Sequence, residues 1–455
     1  MKAAAGRAIA GLLTSPRIRD AERNVRAMAR RVRGGPALVH YFHQVDDPYS
    51  HLVLQALPAL AAQYACRIAT NLASPPDDSV APDRERLRAW SRRDAAELAA
   101  AVGLDFDDPG HEADRDLAEQ ASRVLAPLLA ADGMRASNTA GTPADALADA
   151  LSISRALWHG DRATISRFPA ASTEATAAAL DAGAAQRRKL GHYLGATLYF
   201  EGEWYWGIDR LAHLEQRLRG AGLAHDIAAP LIAPVPDVEC RHRPTNGRRP
   251  ELHFFCSLRS PYTYLAVPRV VELARCYEAQ LRIRFVLPMV MRGLPVPREK
   301  RLYILRDTKR EAERLGMPFG RIADPVGVPT ERGLAVLHHA VASGNGAEFL
   351  WSFLRGVWAE GIDAGSDPGL HAIAARAGLG ETVVSTALRD HTWREVANRN
   401  REEMLALGLW GVPSFRVDDR PARWGQDRLW AVERDLIAAT TAKPVDESSP
   451  TTDAT

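Results

Sequence analysis

The sequence predicts an α/β protein made of two tandem domains of one kind, each with an inserted helical subdomain. Three observations carry that expectation. They are a gapless internal repeat, short apolar strands alternating with helices in each copy, and a length of 455 residues, more than one hydrophobic core usually serves. The repeat is plain in the residues. His40-Tyr-Phe-His-Gln-Val-Asp-Asp-Pro-Tyr-Ser-His-Leu52 lies over His253-Phe-Phe-Cys-Ser-Leu-Arg-Ser-Pro-Tyr-Thr-Tyr-Leu265, sharing the histidine, the second aromatic, Pro-Tyr and the closing leucine. In the same register Arg93-Asp94 falls on Arg306-Asp307, Gly103 on Gly316 and Phe106 on Phe319. Late in each copy Trp206-Gly-Ile-Asp-Arg-Leu211 returns as Trp424-Gly-Gln-Asp-Arg-Leu429, followed by Glu215 and Glu433 respectively. Collinear blocks of this kind predict a duplicated unit.

In chain order, residues 1–35 form a basic, helical N-terminal segment, with Arg7, Arg17, Arg19, Arg23, Arg26, Arg30, Arg31 and Arg33 against only Asp20 and Glu22. The first copy, residues 36–227, opens on the apolar strand Ala37–His43. Its first helix starts at Asp47-Pro48, an N-cap residue followed by proline at the first helical position. Residues 228–249 hold Pro230, Pro234, Pro236 and Pro244 and read as a linker. The second copy, residues 250–439, runs from strand Leu252–Cys256 into a helix opening at Ser260-Pro261. Strand Leu281–Leu287, a charged helix around Asp307, helical stretches at Glu348–Glu360 and His371–Ala377, and a closing strand–turn–helix follow. Residues 440–455 are polar and predict a disordered tail.

Composition narrows the function. Apolar residues are 46% and charged residues 25%, the balance of a soluble globular protein. A net charge of +2 with interspersed signs gives no electrostatic case for nucleic acid or a membrane surface. No apolar run approaches the roughly 18 residues of a membrane span, and Ala8–Leu13 is too short for a secretory core. A cytoplasmic protein is expected. Cys66, Cys240, Cys256 and Cys276 form no CxxC pair, which predicts reduced, mostly buried thiols and no zinc site. His338-His339 has no carboxylate or cysteine at ligand spacing, and Tyr303 and Asp307 are expected on a solvated helix face.

Ser260-Pro-Tyr-Thr263 after an aromatic strand, then Gly411-Val-Pro-Ser-Phe415, then Trp424-Gly-Gln-Asp-Arg-Leu429 resembles the DsbA-like thioredoxin-fold superfamily. Within it the chain looks closest to kappa-class glutathione transferases and 2-hydroxychromene-2-carboxylate isomerases, a branch that Lys300-Arg-Leu-Tyr-Ile-Leu-Arg-Asp307 through Gly316-Met-Pro-Phe319 also resembles. The resemblance implies a glutathione-dependent isomerase or transferase acting on a small hydrophobic electrophile, with its site in the second copy. It implies Ser260 where related enzymes place their first cysteine, and a cis-proline beside it at Pro413. It further implies that the Val412 backbone holds the cysteinyl part of glutathione, and that Gln426 and Asp427 hold its γ-glutamyl group. The chain departs from the family at Gly293-Leu-Pro-Val-Pro297, which lacks the usual asparagine.

The chemistry is coherent. A helix N-terminus stabilises a thiolate, and with serine there the thiol arrives with a ligand. A thiolate can add to a conjugated double bond and leave again, which permits cis–trans isomerisation. Simpler roles compete: Ser260 as an N-cap, Pro413 as a strand-end proline, Asp427 as a first-turn acid. In the first copy Asp47 replaces the serine and Ala196-Thr197 replaces Pro413-Ser414, which reads as a degenerate site. Two rival readings follow. One is a non-catalytic tandem binding protein. The other, a disulfide oxidoreductase, ranks last because Ser260 and Thr263 stand where both cysteines are needed. Two copies in one chain leave open an intramolecular pseudo-dimer.

Overall fold

The computed structural model describes residues 10–76, 83–129, 143–294 and 296–441. Two compact units emerge: an N-terminal unit of residues 15–236 with 295–304, and a C-terminal unit of residues 237–294 and 305 onward, with residues up to Thr14. The tail expected to be disordered lies outside the described residues from position 442.

In the N-terminal unit, helix α1 (Pro16–Val32) carries the basic segment, and its charges are used locally. Arg23 pairs with Glu203 at 2.7 Å and Arg30 with Glu201 at 2.8 Å. Strand β1 (Leu38–His43) runs parallel to β2 (Arg67–Leu72) and antiparallel to β3 (Thr197–Phe200), which pairs with β4 (Glu203–Trp206). The sheet order is β2-β1-β3-β4. Helix α2 (Pro48–Gln63) crosses from β1 to β2. Helices α3 (Arg84–Val102), α4 (Arg115–Leu129), α5 (Pro143–Trp158), α6 (Arg162–Ile165) and α7 (Thr173–Leu190) are inserted before β3. Helix α8 (Leu211–Gly220) closes the unit.

The C-terminal unit repeats this plan. Strands β5 (Glu251–Cys256), β6 (Gln280–Phe285), β7 (Ser414–Val417) and β8 (Arg423–Trp424) form a sheet of order β6-β5-β7-β8. Helix α9 (Pro261–Cys276) is the crossover. The insertion holds α10 (Arg298–Arg314) from residue 305, its first turns belonging to the N-terminal unit, then α11 (Val328–Ala342), α12 (Gly346–Arg355), α13 (Asp367–Arg376), α14 (Glu381–Ala387) and α15 (Trp393–Ala406), and α16 (Leu429–Thr441) closes the unit. Register makes the correspondence exact to the residue. Leu38 pairs with Arg67 and Phe42 with Thr197; Glu251 pairs with Gln280 and Phe255 with Ser414. Ala196 and Pro413 therefore hold one position, as the sequence repeat predicts.

Each central strand is buried, with Val39, Tyr41, Phe42, Phe254 and Phe255 sealed in the cores. The glutamates that follow each Trp-Gly-x-Asp-Arg-Leu block turn inward. Tyr64 Oη donates to Glu215 at 3.1 Å and Tyr277 Oη to Glu433 at 2.9 Å. Both carboxylates also anchor connecting chain, Glu215 through Ile232 N–H and Glu433 through Glu239 and Cys240 N–H. Within the segment read as a linker, 228–249, buried carboxylates thus claim backbone donors on each side of the division at Pro236.

Two expectations are corrected, and one histidine has a partner that sequence spacing does not reveal. Cys240 and Cys276 form a disulfide, while Cys66 and Cys256 stay free, so only two of the four thiols are reduced. Tyr303 and Asp307 are buried rather than solvated: Tyr303 sits with Phe42 and Trp204 in a small apolar cluster, and Asp307 is 1% exposed. His339 does have a carboxylate partner, Asp390 at 2.8 Å, brought from far along the chain. Among the described residues no helix is long and apolar enough to cross a membrane.

Candidate functional site

The start of α9 is built by local chemistry. Ser260 has extended backbone (φ −92°, ψ 114°), its Oγ accepts the Thr263 N–H at 3.1 Å, and Pro261 follows where no N–H is needed. Across from it the Val412–Pro413 peptide is cis. The Ser260 hydroxyl donates to the Val412 carbonyl at 3.4 Å, which joins the two halves of the site. Gly411 is glycine for space: a Cβ there would lie 2.5 Å from the Trp424 indole. Trp410 and Trp424, ring centroids 4.5 Å apart, form the aromatic wall beside this loop. The Gly425 N–H closes it on the Pro413 carbonyl at 2.9 Å.

Beneath the helix start, Tyr262 Oη donates to Asp307 at 2.7 Å, and Arg310 approaches the same carboxylate at 3.4 Å. Arg259 forms two 2.8 Å bonds to Asp324. Thr263, three residues after Ser260, is fully buried, and its hydroxyl has no partner among the described residues.

Ser260, Val412 and Pro413 are therefore brought together. Gln426 is not. It lies in a short turn before α16, 1% exposed, accepting from Arg269 at 2.9 Å and donating to Glu311 at 3.1 Å and to Asp427. Arg269 stands nine residues beyond Ser260 on α9, about 13 Å along a helix. The Gln426 amide is consumed inside the protein, and Asp427, half-buried, is its neighbour.

The same place in the N-terminal unit has been rebuilt. Asp47 caps α2, its Oδ1 accepting Tyr49 N–H at 3.3 Å and its Oδ2 accepting Ser50 N–H at 3.1 Å and Ser50 Oγ–H at 2.8 Å. Ser50 Oγ in turn accepts the Gln44 and Ala196 N–H groups at 3.1 and 2.9 Å. The last bond needs a donor that proline lacks. Replacing the proline by Ala196 supplies it and ties the loop to the helix. Burial pushes the Asp47 carboxyl up to about 7, against the lowering effect of its Ser50 hydrogen bond. Asp47 therefore satisfies the helix end while carrying less than a full negative charge near neutrality.

One paired feature escaped sequence reasoning. Tyr49 Oη donates to Asp94 at 2.5 Å, the counterpart of Tyr262 and Asp307. All four residues occupy matched positions of the repeat, in Pro-Tyr and Arg-Asp, so recurrence of both members was the available signal.

Residues 251–436 match the family model of the DSBA-like thioredoxin domain. Among solved structures, the chain is similar to a probable DsbA oxidoreductase from Streptomyces coelicolor at 18% identity, covering 44% of this chain and 93% of that one, TM-score 0.35. A 2-hydroxychromene-2-carboxylate isomerase matches at 22% identity over 41% of this chain and 93% of its own, TM-score 0.35. The cytosolic disulfide reductase DsbM from Pseudomonas aeruginosa matches at 24% identity over 42% and 96%, TM-score 0.31. No curated protein matches the chain.

Proposed function

We propose that the DSBA-like thioredoxin domain of residues 251–436 is a glutathione-dependent isomerase or transferase for a small hydrophobic electrophile, working at Ser260. One observation carries the reading: the Ser260 hydroxyl, at the N-terminus of a buried helix, lies 3.4 Å from the Val412 carbonyl. The tripeptide would be held by the Val412 backbone and by Asp427, and when bound it supplies a nucleophilic thiol. The residues present fit that ligand in part, since Gln426 is spent on Arg269 and Glu311. Ser260 Oγ–H would turn from Val412 to the ligand sulfur, and the N-terminus of α9 would favour the sulfur as an anion. Trp410 and Trp424 would exclude water from one side of the substrate.

The test is a glutathione titration of the full chain by calorimetry, paired with a cis-enone isomerisation assay. Saturable binding with turnover that depends on Ser260 supports the reading. Absence of both leaves the second reading, a non-catalytic binding protein, which the internal use of Gln426 favours. A disulfide oxidoreductase remains the weakest alternative, because Ser260 and Thr263 occupy both cysteine positions.

A further inference from the structure

We propose that the N-terminal unit carries a ligand site of its own, a cleft at Asp47 that takes a small aromatic molecule bearing a single negative charge. A cavity of about 580 Å³ opens over the start of α2, lined entirely by residues of this unit. That volume falls within the range of small-molecule sites, about 300–1,000 Å³.

Its walls specify the ligand. Tyr49 and Trp206 meet edge to face at 6.1 Å, and Trp206 is 36% exposed, an indole left open at the cavity mouth. Trp158 also lines the cavity, held edge-on against Phe106 at 5.2 Å. Three aromatic side chains on one lining favour an aromatic ligand. The charges add a sign. Arg84, Arg88, Arg92 and Arg115 line the cavity against Asp46, Asp47 and Glu112, four guanidinium groups to three carboxyls.

The partners decide which charge is available. Arg88 is engaged by Asp46 at 3.3 Å and Glu112 at 3.0 Å, Arg92 by Asp108 at 3.1 Å, and Arg84 is held on the Pro76 carbonyl. Arg115, at the first position of α4 and exposed, has no ion-pair partner among the described residues. A guanidinium presents paired donors that suit a carboxylate. One unmatched guanidinium beside an aromatic slot is a site for an aromatic monoanion.

The site is independent of thiol chemistry. The loop at Gly195-Ala196 is tied to Ser50 through Ala196 N–H, a bond that the proline at the matching position of the other unit cannot make.

The experiment is isothermal titration of the full chain with 1-naphthoate and with its neutral counterpart 1-naphthalenemethanol. Saturable binding of one naphthoate is expected, weakened about tenfold or more for the alcohol and for Arg115→Gln, and for Trp206→Ala. Both substituted residues are at the surface, and circular dichroism verifies that each variant is folded. Ser260→Ala and saturating glutathione should leave naphthoate binding unchanged, which separates this site from the one in the C-terminal unit. The proposal is overturned by absence of saturable binding into the millimolar range, by equal affinity for acid and alcohol, by indifference to both substitutions, or by loss of binding with Ser260→Ala or glutathione.

Discussion

Ser260 and Asp47 stand at the same position, the cap of the first helix in each unit, and their surroundings give them different chemistry. Ser260 shares its oxygen between the Thr263 N–H and the Val412 carbonyl. Ser260→Ala should cost about 0.5–2 kcal/mol of cap stability and lower a glutathione-dependent rate far more than glutathione affinity. Thermal denaturation and the enone assay read the two effects separately, and equal rates for both proteins would reduce Ser260 to a cap. Asp47 is half-buried, and two histidines of the same unit are fully buried. Burial holds His43 near 3 and His51 near 4, below the usual histidine value of about 6.5. Between about pH 4 and 6.5 the unfolded chain then binds more protons at these two groups, so they make stability rise with pH. Asp47, raised to about 7, acts in the opposite sense: the folded state binds the extra proton between about pH 4 and 7, so its contribution falls as pH rises. Two histidines outweigh one carboxyl. Asp47→Asn should steepen the gain from pH 4 to 6.5 and abolish the loss just above it. Melting temperature against pH, variant compared with parent, measures this directly; identical profiles would mean Asp47 is an ordinary exposed carboxylate.

At the scale of elements, the helix start and the loop facing it work as a pair, and each pair is matched internally. Restoring the proline to the N-terminal unit should therefore damage it. Ala196 has φ +52°, which the proline ring at about −65° cannot adopt. Ala196→Pro would also remove the N–H that Ser50 accepts, a loss of about 1–3 kcal/mol. Urea unfolding should show the N-terminal unit weakened by at least that much; an unchanged midpoint would mean the loop is not held by Ser50. In the C-terminal unit the reverse holds. Ser260→Cys with Thr263→Cys should give a first thiol titrating below the free value of about 8.5, because the helix N–H groups stabilise its anion. Thiol alkylation against pH reads that shift, and a titration near 8.5 would deny the helix start its thioredoxin-like character. These helix starts were legible because a cap followed by proline is local chemistry. The fate of Gln426 was not, since it depends on Arg269 and Glu311 from two other helices.

At the scale of the molecule, two units of one topology each close their connecting chain onto a buried glutamate, and the C-terminal unit adds a covalent link. Cys240 and Cys276, separated by 36 residues, constrain the unfolded chain by about 3–4 kcal/mol at that loop length. Cys276→Ser should lower the C-terminal unit's stability by that amount, dithiothreitol should do the same to the parent, and the two should not add. A parent melting curve indifferent to dithiothreitol would show free thiols in their place. The sequence by itself determined the repeat, the strand and helix order, the absence of a CxxC pair and the Ser260–Pro413 correspondence. Those properties reside in local patterns: alternation of apolar residues, caps beside prolines, and motifs recurring in register. Only the tertiary structure decided that Asp307 is buried against Tyr262, that Gln426 turns inward, that Cys240 meets Cys276, and that the cavity lies at Asp47. Burial, pairing and enclosed space arise where elements distant in the chain pack together, and no local pattern records which elements those will be.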